Sequence, residues 1–161
     1  MDVAAMAQRC PRSRVIGPAR LARHRFTIMK EGFATVVRDP QAMVHGLLFD
    51  LALADIPALD RYENVAGGLY QKVTQPVLRA SGGPARALVY VGRSAETRGA
   101  PIRPGYMEGV VAAAEALGCP RDYLTYLRSF VPGLAQADAG AQPQRRAIKY
   151  TGKPLFGDAD E

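Results

Sequence analysis

Leu59-Asp60-Arg61-Tyr62-Glu63-Asn64-Val65-Ala66-Gly67-Gly68-Leu69-Tyr70 is the most informative stretch of this chain. The pattern over residues 54–62 predicts a short helix, with Pro57 in its first turn, where a residue lacking an N–H is tolerated. Glu63 ends that helix, Gly67-Gly68 supplies a turn, and residues 70–78 alternate as a strand. A helix dipole is negative at its C-terminus, so a carboxylate there sits in an unfavourable field. With any burial its pKa rises, and a raised pKa is what a general acid/base near neutral pH needs. On pattern alone, a plainly solvated glutamate is the commoner case.

Working outward, Val3, Met6, Ala7 and Cys10 fall at helical spacing, with Asp2 as a cap and Pro11 as a stop. Residues 15–21, 24–29 and 33–37 read as strands, the first interrupted by Gly17-Pro18 and the last closed by Asp39-Pro40. Residues 43–51 are the most apolar run and are expected to form a central strand. Residues 85–91 pair with the strand at 70–78 across Ser81-Gly82-Gly83-Pro84, and residues 93–104 form a polar loop. Two amphipathic helices follow, at 105–117 and 120–130. Strands clustered together, with helices after them, predict an α+β domain over residues 1–133. Residues 134–161 are rich in Ala, Gln, Gly and Pro and are expected to be an extended or partly disordered tail.

Composition removes several classes of function. The two histidines, His24 and His45, exclude a His-rich metal site. Cys10 and Cys119 are far apart and fit neither a disulfide framework nor a zinc site, which suits a reducing cytoplasm. No apolar run reaches the length of a membrane span. The chain carries a net charge of +6, and up to His45 it holds eight basic residues against three acidic ones. Such a field attracts nucleic acid or a small anionic substrate. No aromatic residues interleave the early arginines as a base-stacking platform would require, so no nucleic-acid partner is expected.

The central stretch resembles the acid/base segment of the gamma-glutamylcyclotransferase-like (AIG2-like) family, which runs Leu-Asp-x-x-Glu, a glycine turn, then Gly-x-Tyr. Leu59, Asp60, Glu63, Gly68 and Tyr70 carry the match. Asn64 stands where the family has glycine, and Asn tolerates a left-handed backbone. Val44-His45-Gly46-Leu47-Leu48-Phe49 resembles the strand preceding that helix, Pro104-Gly105-Tyr106 the start of the family's next helix, and Leu117-Gly118-Cys119-Pro120-Arg121-Asp122-Tyr123-Leu124 its last helix hairpin. The family opens with an apolar strand and a Tyr-Gly-Ser-Asn type loop. This sequence begins at the helix after that loop, and Met1 is expected to be an internal methionine of a longer chain.

The resemblance implies a small mixed, partly closed barrel-like sheet flanked by helices. It implies cyclisation of a gamma-glutamyl compound to 5-oxoproline with release of an amino acid or amine. Glu63 is then the catalytic acid/base, Tyr70, Tyr106 and Gly46 bind the substrate, and no metal or organic cofactor is needed. His45 shares a strand face with Met43, Leu47 and Phe49 and is expected to be a buried core histidine. The leaving group and the oligomeric state stay open. A non-catalytic binding domain on the same fold is the alternative, and a basic nucleic-acid-binding module is third.

Overall fold

The computed structural model describes residues 3–96 and 101–131. The element order is α1 (Val3–Arg9), β1 (Arg14–Met29), β2 (Ala34–Asp50), a 3-10 turn (Leu53–Asp55) running into α2 (Ile56–Tyr62), β3 (Tyr70–Arg79), β4 (Pro84–Gly92), β5 (Ala95–Glu96), α3 (Tyr106–Ala116) and α4 (Arg121–Arg128). This is the α+β arrangement the sequence predicts. The sheet runs β2-β1-β3-β4, with β5 paired to the end of β1. Every pairing among the described residues is antiparallel, so the sheet is not mixed. Its path is open, with no ladder joining β2 to β4, so it does not close as a barrel. The expected tail lies outside the described residues.

β1 and β2 make one long ribbon, where the sequence suggests four separate strands. The interruptions are real, but the chain absorbs them as register shifts. One lies at Val15/Gly17 and another at Ala22/His24, where Arg23 takes φ +61. Opposite Arg23, the four residues Asp39-Pro40-Gln41-Ala42 bulge out before pairing resumes at Met43. The Asp39 side chain accepts the Gln41 N–H at 3.1 Å inside this bulge. Pro40 has no N–H to give a ladder, which is why it falls at such an irregularity. The apolar run ending β2 is on the outer strand rather than a central one. Its apolarity serves one face, where Val44 and Leu48 meet the core.

That core has two parts. Phe26 and Ile28 of β1 pack on Met107, Val111 and Ala114 of α3 and on Leu127 of α4. The α3 residues fall at i, i+4 and i+7, one helical face. Leu21, Val77 and Ala87 form a smaller cluster across β1, β3 and β4. Leu127 is fully buried, and truncating such a residue to Ala costs about 2–5 kcal/mol.

Asp55, the residue before α2, is buried, with only 5% exposure, and ties the segment after α1 to the start of α2. Its carboxylate accepts the Arg12 N–H at 2.9 Å and the Ser13 hydroxyl at 2.8 Å. Ser13 Oγ in turn accepts the Ala52 N–H at 3.1 Å. This junction fixes α1, and so Arg9, against the helix that ends at Glu63.

Candidate active site

Glu63 follows the last residue of α2, with φ −79 and ψ 1, and its N–H still bonds to the Leu59 carbonyl at 2.9 Å. The chain then reverses through Asn64, at φ +48, the left-handed conformation its sequence position suggests. Asn64 Oδ1 accepts the Gly67 N–H at 3.2 Å, and the Asn64 carbonyl accepts the Leu69 N–H at 3.1 Å. The turn thus delivers Tyr70 to the start of β3, beside Glu63.

The Glu63 side chain lines a cleft of ≈ 590 Å³ shared with Tyr70 and Tyr106. Burial raises its pKa above the ordinary glutamate value, opposed by the positive charge of Arg9. The Arg9 guanidinium stacks on Tyr62, 3.6 Å from the ring centroid.

Both tyrosines bond to one backbone residue. Tyr70 donates its hydroxyl to the Ala34 carbonyl at 2.6 Å, and the Tyr106 hydroxyl accepts the Ala34 N–H at 3.0 Å. Tyr70 therefore spends its proton on the scaffold, while Tyr106 keeps a proton it can donate. Burial is the main reason that both phenols ionise above the usual tyrosine value, Tyr70 well above it. They are neutral hydrogen-bonding groups in this cleft, not bases.

Asp60, the other acid of the Leu-Asp-x-x-Glu stretch, is committed elsewhere. Lys72 Nζ lies 2.7 Å from one carboxylate oxygen and the Tyr90 hydroxyl donates to the other at 2.7 Å. These bonds hold its pKa below the ordinary aspartate value. Asp60 thereby braces the C-terminal turn of α2 against β3 and β4.

Glu63, Tyr70 and Tyr106 thus meet in one cleft, as the sequence suggests. Gly46 does not join them. It lines a separate cleft of ≈ 290 Å³ with Arg20, His45 and Cys119. Its neighbour His45 is half-buried against Tyr123, ring centroids 4.8 Å apart. The deeply buried histidine is His24, whose Nδ1 lies 2.9 Å from the Ala22 carbonyl oxygen. Tyr62, Tyr90 and Arg103 also line the Glu63 cleft and carry no local signal of it in the sequence. Among the described residues, no group of three or more His, Cys, Asp or Glu side chains could hold a metal ion.

The fold is that of a gamma-glutamyl cyclotransferase. A solved gamma-glutamyl cyclotransferase superposes with a TM-score of 0.70 over 94% of this chain and 85% of that one, at 21% identity. An uncharacterized Homo sapiens protein gives 0.69 over 77% and 78%, at 22% identity. YkqA from Bacillus subtilis gives 0.64 at 19% identity, over 77% of this chain and 46% of its own. No curated protein matches the chain in sequence. The sequence pattern of the AIG2-like family matches residues 43–127, which span the whole of the cleft's acid and tyrosine machinery. This chain belongs to the AIG2-like family.

Proposed function

We propose that the chain cyclises gamma-glutamyl compounds, with Glu63 as the general acid/base. The observation that carries this reading is the half-buried Glu63 carboxyl with a raised pKa, in a cleft walled by two neutral tyrosines. The Glu63 carboxylate takes a proton from the substrate's α-ammonium. The freed amine attacks the γ-carbonyl carbon, a new C–N bond closes the five-membered ring, and the original amide C–N bond breaks. Glu63 then returns the proton to the departing amine, leaving 5-oxoproline and an amino acid or amine.

A single acid/base residue is enough because nucleophile and electrophile belong to one molecule. Holding them in reactive geometry supplies roughly 7–11 kcal/mol of the barrier. The retained Tyr106 proton suits an oxygen on which negative charge develops. Arg9 is the cation nearest in effect to Glu63 and suits the α-carboxylate on the same carbon as the α-ammonium. None of these steps calls for a metal or an organic cofactor. Cys10 and Cys119 are both free thiols, in keeping with the cytoplasmic location we propose.

The test is direct. The protein incubated with gamma-glutamyl dipeptides is expected to release 5-oxoproline and the free amino acid in equal amounts. Binding of the dipeptide without release would favour a non-catalytic binding domain on the same fold.

A further inference from the structure

Gly46 stands apart from the Glu63 machinery, in a cleft of its own. On the β1–β2 ladder it pairs with Ala19, between the Leu21–Val44 pair and the Gly17–Leu48 pair. Side chains alternate along a strand, so Gly46 shares the face on which Val44 and Leu48 meet the core. A methyl group opposite a bare backbone leaves that face hollow. A side chain built on Gly46 would meet no atom within 4 Å. The space is the cleft of ≈ 290 Å³, which the turn between α3 and α4 also lines.

The wall made by that turn is preformed. The Gly118 N–H bonds to the Glu115 carbonyl at 2.9 Å and the Cys119 N–H to the Ala114 carbonyl at 3.0 Å, with Gly118 at φ +72, a Schellman ending to α3. α4 starts directly after Pro120. Arg20 and His45 are direct partners across the β1–β2 ladder, and both line the cleft. Arg20 is exposed and makes no ion pair with another described residue. The His45 ring stacks on Tyr123, and burial, then the Arg20 charge, hold its pKa below the ordinary histidine value. The imidazole is therefore neutral near pH 7, and Arg20 supplies the cleft's charge.

We propose that this cleft is a second binding site, for a small organic carboxylate. Its apolar body, the size of a single ring, fills the Ala19–Gly46 hollow while its carboxylate pairs with Arg20. A guanidinium presents a planar pair of donors that matches a carboxylate. Pro18, Ala80 and Leu117 add apolar contact, and no acidic side chain lines the cleft to compete for Arg20. A bare inorganic anion would leave the hollow empty, and an uncharged ring would leave Arg20 unpaired. The volume of ≈ 290 Å³ stands at the lower end of the range of about 300–1,000 Å³ for ligand pockets, which keeps the ligand small. This cleft and the Glu63 cleft share no lining residue, so occupancy here does not depend on the cyclisation chemistry.

Benzoate is the probe, with inorganic phosphate as an anion without a ring and benzyl alcohol as a ring without a charge. Titrated into the isotope-labelled full chain, benzoate should move the amide resonances of Ala19, Gly46, Gly118 and Cys119 with a Kd on the order of 1 mM. Phosphate and benzyl alcohol should bind about threefold to tenfold more weakly, and Arg20→Gln should weaken benzoate by a similar factor while leaving benzyl alcohol unchanged. Gly46→Val adds bulk to the hollow without striking a neighbour and should abolish benzoate binding. A second readout uses the thiols. Cys10 is fully buried, so Cys119 is the thiol open to iodoacetamide, and benzoate should slow its alkylation. Unsaturable shifts at these residues, unslowed alkylation, or full binding to a folded Gly46→Val protein overturns the assignment. Phosphate binding as tight as benzoate also overturns it, since Arg20 would then be a surface charge only. If Gly46→Val fails to fold, Arg20→Gln decides alone, and an unaltered benzoate affinity refutes the site.

Discussion

Glu63 stands under two opposing influences, burial that raises its pKa and the Arg9 charge that lowers it, and burial wins. The folded chain therefore keeps a proton on Glu63 over a pH window that starts at the ordinary value of 4.5. In that window the native state binds more protons than the unfolded chain, so this group's contribution makes stability fall as pH rises. Glu63→Gln should accordingly melt above the wild type at neutral pH, with the gap closing below pH 4.5, as thermal melts across a pH series would record. The same substitution should lower kcat by roughly 10²–10⁴; near-wild-type turnover would remove Glu63 from the mechanism. For the native protein, the acid limb of the rate profile should lie above the ordinary glutamate value. Tyr106→Phe leaves the Ala34 N–H without its acceptor, a loss of about 1–3 kcal/mol. Both melting temperature and kcat should drop; lowered stability with unaltered kcat would make Tyr106 scaffold alone. Glu63, Tyr70 and Tyr106 were legible because one short motif and one helix start carry them. Tyr90 and Arg103 were not, because only the tertiary fold brings them to the cleft, and the same holds for the effect of the Arg9 charge on Glu63. Gly46 lines a different cleft from Glu63; the resemblance that singled it out marks a place on a strand and not which cleft that strand faces.

Pro101, two residues before Arg103 of the Glu63 cleft, packs on the β1–β2 turn, and that contact can be tested at the scale of elements. Gly32 and Gly105 both have left-handed backbones, at φ +83 and +81. A side chain at Gly105 would meet open space, whereas one at Gly32 would collide with the Pro101 carbonyl. Gly105→Ala should therefore cost only the backbone term of about 1–2 kcal/mol. Gly32→Ala should cost distinctly more in denaturant unfolding, because its side chain would meet the Pro101 carbonyl. Equal costs would show that Pro101 is not seated there. The helices and the β3–β4 hairpin were readable from periodicity and turn residues. The long ribbon was not, because Gly17-Pro18 and Asp39-Pro40 mark an interruption in pairing without saying whether the strand ends or bulges and continues.

For the whole molecule, the net charge of +6 favours capture of a substrate carrying one or more carboxylates. It should also produce weak, salt-sensitive attraction to polyanions. We expect no appreciable RNA or DNA binding at physiological salt in a gel-shift series. Submicromolar affinity there would revive the nucleic-acid-binding alternative. No described helix is long and apolar enough to cross a membrane. The bulge at Asp39-Pro40-Gln41-Ala42 has a consequence at this scale too. β2 is 17 residues long and, among the described residues, pairs on one side only. An unbroken outer strand of that length is a template on which another chain can add and begin a fibre. The bulge divides it into two short runs separated by a proline, so an incoming strand that found register on one run would lose it on the next. The residues that look like a flaw in the ribbon thus protect the protein from aggregating with its own copies.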